Sequence, residues 1–296
     1  MAKRPRRLRV LIATDGSTQA RAAVATVAGA PWPGGTRVRA VVARPPRGQH
    51  KRSIIWSASV DRSVEDAANQ ARDALATRWA DAEAVIVDSS PVGAILREAQ
   101  RFRADVIVIG WRGYGTARRL LMGSVARGVV RGAKCAVLVV RGQPSRMRQI
   151  VVGFDGSPNA TRAVELVSSL DAPPKGQVTF VGVMELMTPA ASRAPNVAGI
   201  RATVATEVRR INTARATANV EALNRVAREL GRAGWRTRCE SRTGEPLREL
   251  IAVVKSVRPD LVVVGARGTS GVRRLLLGSV AEGVLDRSPV PVLLAR

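Results

Sequence analysis

The chain repeats itself. RVLIATDGSTQARAAV at residues 9–24 returns as QIVVGFDGSPNATRAV at 149–164, and ADVIVIGWRGYGTARRLLMGSVARGVV at 104–130 returns as PDLVVVGARGTSGVRRLLLGSVAEGVL at 259–285. A repeat this long and this complete means two copies of one folding plan rather than a solenoid of short units. The early block returns with Gln149 in the place of Arg9, and the later one with Pro259 in the place of Ala104. The second interval is the longer, so the second copy carries extra length between its blocks. That extra falls in 200–231, which reads as one long helix. The length of 296 residues suits two domains of roughly 100–200 residues each. The Gly/Pro/Ser segment 142–148 marks their join, giving domains 1–143 and 144–296.

Within each copy, short apolar runs alternate with amphipathic stretches. The predicted strands are 10–13, 38–43, 84–87, 106–109 and 136–140, then 150–153, 178–183, 236–240, 261–264 and 290–294. Helical patterns lie between them, as at 17–28. Ser157 and Pro158 stand where an N-cap and first helical residue belong. Near-continuous Val/Ile/Leu strands bracketed by helices predict an α/β fold with two doubly wound parallel sheets, each covered on both faces.

Such sheets bind ligands beyond the carboxyl ends of their strands, where strand order reverses. Strand one ends in Thr14-Asp15-Gly16-Ser17 and its repeat in Phe154-Asp155-Gly156-Ser157. Strand four runs into Gly110-Trp111-Arg112-Gly113, nine residues, and Gly123-Ser124-Val125. The repeat gives Gly265-Ala266-Arg267-Gly268, again nine residues, and Gly278-Ser279-Val280. Glycines let the backbone approach a ligand with no Cβ in the way. Free N–H groups of the second glycine and the serine, at a helix N-terminus, predict a phosphate site. The alternative is structural: glycines make turns, and Ser279 with Glu282 spells a capping box. The same residues at the same spacing in both copies favour phosphate.

No lysine follows either loop as a Walker motif requires, and no GxGxxG follows the first strand. Asp15 and Asp155 read either as turn residues or as acceptors for a sugar hydroxyl or base amino group. Arg112, Arg118, Arg119, Arg267, Arg273 and Arg274 read as a solvated face or as screens for phosphate charge. Trp111 reads as packing.

Composition excludes several classes. The one histidine, His50, rules out a Ser-His-Asp triad in each copy. Cys135 and Cys239 follow no ligand spacing and read as small buried side chains. No apolar run approaches the ~20 residues of a spanning helix, and no signal peptide is recognised, so a soluble cytoplasmic protein is expected. A formal charge of +25, mostly arginine, suggests nucleic acid. Its spread over both copies instead favours general attraction of anions, leaving a scaffold for nucleic acid or acidic partners as the alternative.

The pattern G-x2-G-x9-G-(S/T) after strand four, with Asp-Gly-Ser after strand one, resembles the universal stress protein family over nearly the whole chain. The resemblance implies a tandem form of its ATP-binding branch, adenine nucleotide alpha hydrolase-like, with five-stranded sheets of order 3-2-1-4-5. It implies that Ala13, Thr14 and Asp15 border adenine and ribose, that Val42 contacts adenine, and that Gly110, Gly113, Gly123, Ser124 and Val125 hold ribose and phosphates. The counterparts would be Gly153, Phe154 and Asp155, then Val183, then Gly265, Gly268, Gly278, Ser279 and Val280. The ligand would be ATP, with AMP or ADP as alternatives and Mg²⁺ accompanying it. The expected role is regulatory or sensory, through nucleotide-dependent conformation or an unidentified protein partner. Phe154, standing where the first copy has Thr14, is expected to narrow or reshape its site.

That strand order places 136–140 and 290–294 at sheet edges. Apolar edges need cover. The simplest cover is each other, paired antiparallel about a pseudo-two-fold axis, as single-domain relatives of this family pair as dimers; a homodimer of the whole chain stays open.

Overall fold

The computed structural model describes residues 7–45, 54–113, 122–188, 198–268 and 277–296. The first copy runs β1 (Arg9–Ala13), α1 (Thr18–Gly29), β2 (Arg37–Arg44), α2 (Ile54–Ala76), β3 (Glu83–Asp88), α3 (Pro91–Phe102), β4 (Val106–Gly110), α4 (Ser124–Gly132) and β5 (Ala136–Val140). The second runs β6 (Gln149–Gly153), α5 (Pro158–Ser168), β7 (Gln177–Met184), α6 (Ala198–Arg232), β8 (Arg236–Thr243), α7 (Pro246–Val257), β9 (Leu261–Gly265), α8 (Ser279–Arg287) and β10 (Val292–Ala295). The long helix expected at 200–231 is α6, at 35 residues against 23 for α2. The last strand begins later than predicted, at Val292, and β8 runs on to Thr243.

The two predicted parallel sheets join edge to edge into one of ten strands, ordered β3-β2-β1-β4-β5-β10-β9-β6-β7-β8. Each half keeps the order 3-2-1-4-5, and its strands are parallel. The halves join through an antiparallel pairing of β5 with β10, in the register Val139↔Val292, Leu138↔Leu293 and Val137↔Leu294. β5 is buried along its whole length and so is β10. The apolar edges are covered by each other, so no aggregation-prone strand is left bare there.

Alternating side chains feed two cores. Leu8, Val10 and Ile12 face α1 and α2, and Ile150 and Val152 face α5 and α6, in one cluster. Leu11, Ala13, Val151 and Val262 face α3, α4, α7 and α8 in the other. Period-two strands with both faces apolar demand such a double cover.

The join is pinned rather than loose. Ser145 N donates to Thr26 Oγ1 at 3.1 Å and Ser145 Oγ to the Asp260 carbonyl at 2.9 Å. Arg141, stacked 4.6 Å over Trp111, donates to the carbonyls of Asp286 at 3.3 Å and Ser288 at 3.1 Å. Trp111 is buried in the core, which agrees with the packing reading. Burial pushes the Cys135 thiol up to about 11, and pushes that of Cys239 up too. No described helix is long and apolar enough to cross a membrane.

Candidate functional site

β1 ends at Ala13, and the chain turns through Asp15 and Gly16 into α1. The φ of Gly16 is 79 degrees and that of Gly156 is 76 degrees, a left-handed conformation that favours glycine. Asp15 Oδ1 accepts from Ser17 N at 2.9 Å, and Asp155 Oδ1 from Ser157 N at 2.9 Å. The serines then cap their helices, Ser17 Oγ accepting from Ala20 N at 3.3 Å and Ser157 Oγ from Ala160 N at 3.2 Å. Each such cap is worth about 1 kcal/mol. The aspartate thus serves the turn with one oxygen and keeps the other for the space beyond. A Cβ built on Gly113 would collide with Asp15 Oδ2, and one on Gly268 would lie 2.6 Å from Asp155 Oδ2. Both aspartates remain exposed.

Opposite stands the start of α4, or of α8 in the second copy. The N-caps are Gly123 and Gly278, and neither offers a side-chain cap. Ser279 is the first helical residue, so the capping box with Glu282 is not formed. The N–H groups of the cap glycines, expected to be free, are used: Gly123 donates to the Trp111 carbonyl at 3.0 Å and Gly278 to that of Ala266 at 2.9 Å. The donors left facing the cleft are those of the next residues, Ser124 and Val125, or Ser279 and Val280. Their position in the first turn gives them no intrahelical acceptor. Ser124 and Ser279 are exposed, so their hydroxyls add to this anion-favouring end.

Between these walls lie two clefts of similar size, 590 Å³ in the first copy and 640 Å³ in the second. Every expected site residue except Val42 lines one or the other. Val42 is a correction. It packs on Val64, Ala67 and Ala68 on the α2 side of the sheet, while its neighbours Val41 and Ala43 line the cleft. Successive strand residues face opposite ways, so a one-residue slip in alignment sends the side chain to the wrong face. The counterpart of Ala43 is Val183, which does line the second cleft.

Gly110 and Gly265 line their clefts and also meet a packing demand. A Cβ on Gly110 would lie 2.9 Å from the Gln19 carbonyl carbon and oxygen, and one on Gly265 would lie 2.9 Å from Ala160 N. They are glycine because a helix backbone crosses the strand end there, whatever the cleft holds. Phe154 is buried in the core as well as touching the lining of its cleft.

Arg112 and Arg267 border their clefts, and the Arg267 carbonyl accepts from Ser157 Oγ at 3.2 Å and Asn159 Nδ2 at 3.4 Å. Arg118, Arg119, Arg273, Arg274 and His50 lie outside the described residues. The sequence reading missed Pro91, Ile95 and Met122 in the first cleft, and Leu250, Arg215 and Asn219 in the second. The helical period of α3 and α7 pointed to Ile95 and Leu250; nothing local marked Arg215 or Asn219. Among the described residues no cluster of three His, Cys, Asp or Glu forms a metal site.

The sequence model of the universal stress protein family matches residues 7–141 and again 147–296. A universal stress protein of Mycobacterium tuberculosis is 30% identical over 256 residues, covering 82% of this chain and 79% of that one. A universal stress protein of Thermus aquaticus is 33% identical over 133 residues, 45% of this chain but 97% of its own. Among solved structures, a universal stress protein from Archaeoglobus fulgidus superposes with a TM-score of 0.69 at 19% identity, covering 97% of this chain and 98% of that one. That likeness is one of fold.

Proposed function

Because this chain belongs to the universal stress protein family, matched once in each half, we propose that each cleft binds an adenine nucleotide. ATP with accompanying Mg²⁺ is the ligand proposed, and a regulatory role in the stress response, exerted through nucleotide-dependent conformation or a partner protein, is the function. The observation that carries this reading is the duplicated geometry. In both copies an uncapped helix N-terminus, a natural anion site, faces a turn-fixed carboxylate across a glycine. Both clefts have the size usual for small-molecule sites.

The residues suit the parts of a nucleotide. Phosphates would meet the N–H groups of Ser124 and Val125, or of Ser279 and Val280, with Arg112 or Arg267 beside them. Asp15 and Asp155 would accept from a sugar hydroxyl, being the wrong charge for a phosphate. Apolar Val41, Ala43 and Ile95, with Val181, Val183 and Leu250, would flank the base. Mg²⁺ fits as an ion held by the phosphates and water, as it usually is. No described histidine or carboxylate pair stands ready to activate water, so the site favours holding nucleotide over hydrolysing it.

The direct check is to purify the full chain, denature it and analyse what is released. An adenine nucleotide in the supernatant is the expected result. A chain that releases none and takes up no added ATP would refute the proposal.

A further inference from the structure

The two clefts differ on one wall. Ala13 pairs with Val41 as Gly153 pairs with Val181, so Val42 and Gly182 are counterparts. Val42 pairs with Ile86 and Gly182 with Ser241. The alignment that sets Ala104 against Pro259 also sets Val60 against Arg215 and Val64 against Asn219 on the helices.

In the first copy this joint is sealed. Val42, Val60, Val64 and Ile86 pack together between β2, β3 and α2. Arg44 closes the open end by reaching Asp61 at 3.2 Å, Asp88 at 3.7 Å and Glu65 at 3.9 Å. In the second copy the counterparts of those four charges are Met184, Ala216, Thr243 and Val220, which cannot form ion pairs. The apolar quartet is replaced by Gly182, Arg215, Asn219 and Ser241. Gly182 makes the room: a Cβ there would lie 2.5 Å from Asn219 Oδ1. The second cleft accordingly runs on to α6, with Arg215 and Asn219 in its lining, whereas among the described residues none of α2 lines the first.

We propose that Asn219 reads the nucleobase in the second cleft, making that copy selective for adenine over guanine while the first copy tolerates both. This rests on the nucleotide reading above. With phosphates at the start of α8, the base would reach across the cleft to a lining that includes Asn219 of α6 beside Val183 and Leu250. Asn219 Nδ2 donates to Ser241 Oγ at 3.1 Å, so the acceptor the amide still offers is Oδ1, which lies beside Gly182. The exocyclic amino group of adenine donates to such an oxygen; guanine presents a carbonyl at the same ring position, and two acceptors repel. Arg215 donates to the Glu185 carbonyl at 3.3 Å and borders the same wall. It stands one turn before Asn219, on the same helix face. Among the described residues, the sealed joint of the first copy offers the base no such side-chain acceptor.

The test is photolabelling of the full chain with 8-azidoadenosine triphosphate, with labelled peptides mapped to each half and protection by ATP or GTP measured. In the second half, protection should need about tenfold more GTP than ATP or beyond, against about threefold or less in the first half. Asn219→Val should bring the second half down to the level of the first, and Asn219→Asp, which keeps an acceptor there, should retain the preference. Equal protection by ATP and GTP in the wild-type second half, or a preference that survives Asn219→Val, overturns the proposal. Labelling of both halves without base preference sinks this proposal alone; absence of labelling in either half removes the nucleotide reading and this one with it.

Discussion

Leu138→Asp is expected to destabilise the full chain by about 4 kcal/mol or more, a large part of the roughly 5–15 kcal/mol that holds a typical domain folded. Leu138 is completely buried, and its partner across the antiparallel joint is Leu293, itself 4% exposed. Emptying such a site alone costs about 2–5 kcal/mol. A carboxylate placed there adds the cost of a buried group with no partner. Chemical denaturation of the variant measures the sum, and a loss below about 1 kcal/mol would contradict the packing described. The same joint predicts that a chain ended at Gln143, its β5 edge bared, associates with its own copy to pair β5 with β5. Sedimentation should show a dimer. A stable monomer would mean that the edge finds its cover elsewhere.

Gly113→Val and Gly268→Val are each expected to weaken nucleotide binding at their own site by about 10- to 100-fold, the worth of one or two hydrogen bonds to a charged group, and to leave the fold intact. Neither glycine has a positive φ, so the backbone accepts a side chain. What gives way is Oδ2 of Asp15 or Asp155, pushed out of its place in the cleft while Oδ1 stays bonded to the turn. Gly110→Val supplies the contrast, because there the new side chain meets helix backbone at 2.9 Å and the fold itself should suffer. Calorimetry on the two single variants separates the sites. Unchanged ATP stoichiometry in both would remove the loop from the binding site.

How far sequence reached depended on what kind of signal carried each feature. The strands and the duplication stood out because buried parallel strands are apolar on both faces and the repeat is long. The pairing of β5 with β10 followed from an apolar edge that needs cover, and it joins the two parallel sheets into one. Val42 was misplaced because alternation gives a strand residue only two orientations, and an alignment slipped by one residue chooses the wrong one. Gly110 and Gly123 line the cleft as expected, but the helix crossing that forces the first to be glycine, and the loop carbonyl that takes the N–H of the second, leave no trace in the sequence. The α6 wall stayed hidden for another reason. Its residues lie where the two copies have diverged, and only the strand register shows that Gly182, Arg215, Asn219 and Ser241 replace an apolar quartet.

Whether both copies carry a working nucleotide site is tested most directly by equilibrium titration of the nucleotide-free full chain with ATP. The geometry repeated at Asp15, Gly113 and α4, and at Asp155, Gly268 and α8, predicts two ATP bound per chain at saturation. Saturation at one ATP, or none, would contradict it.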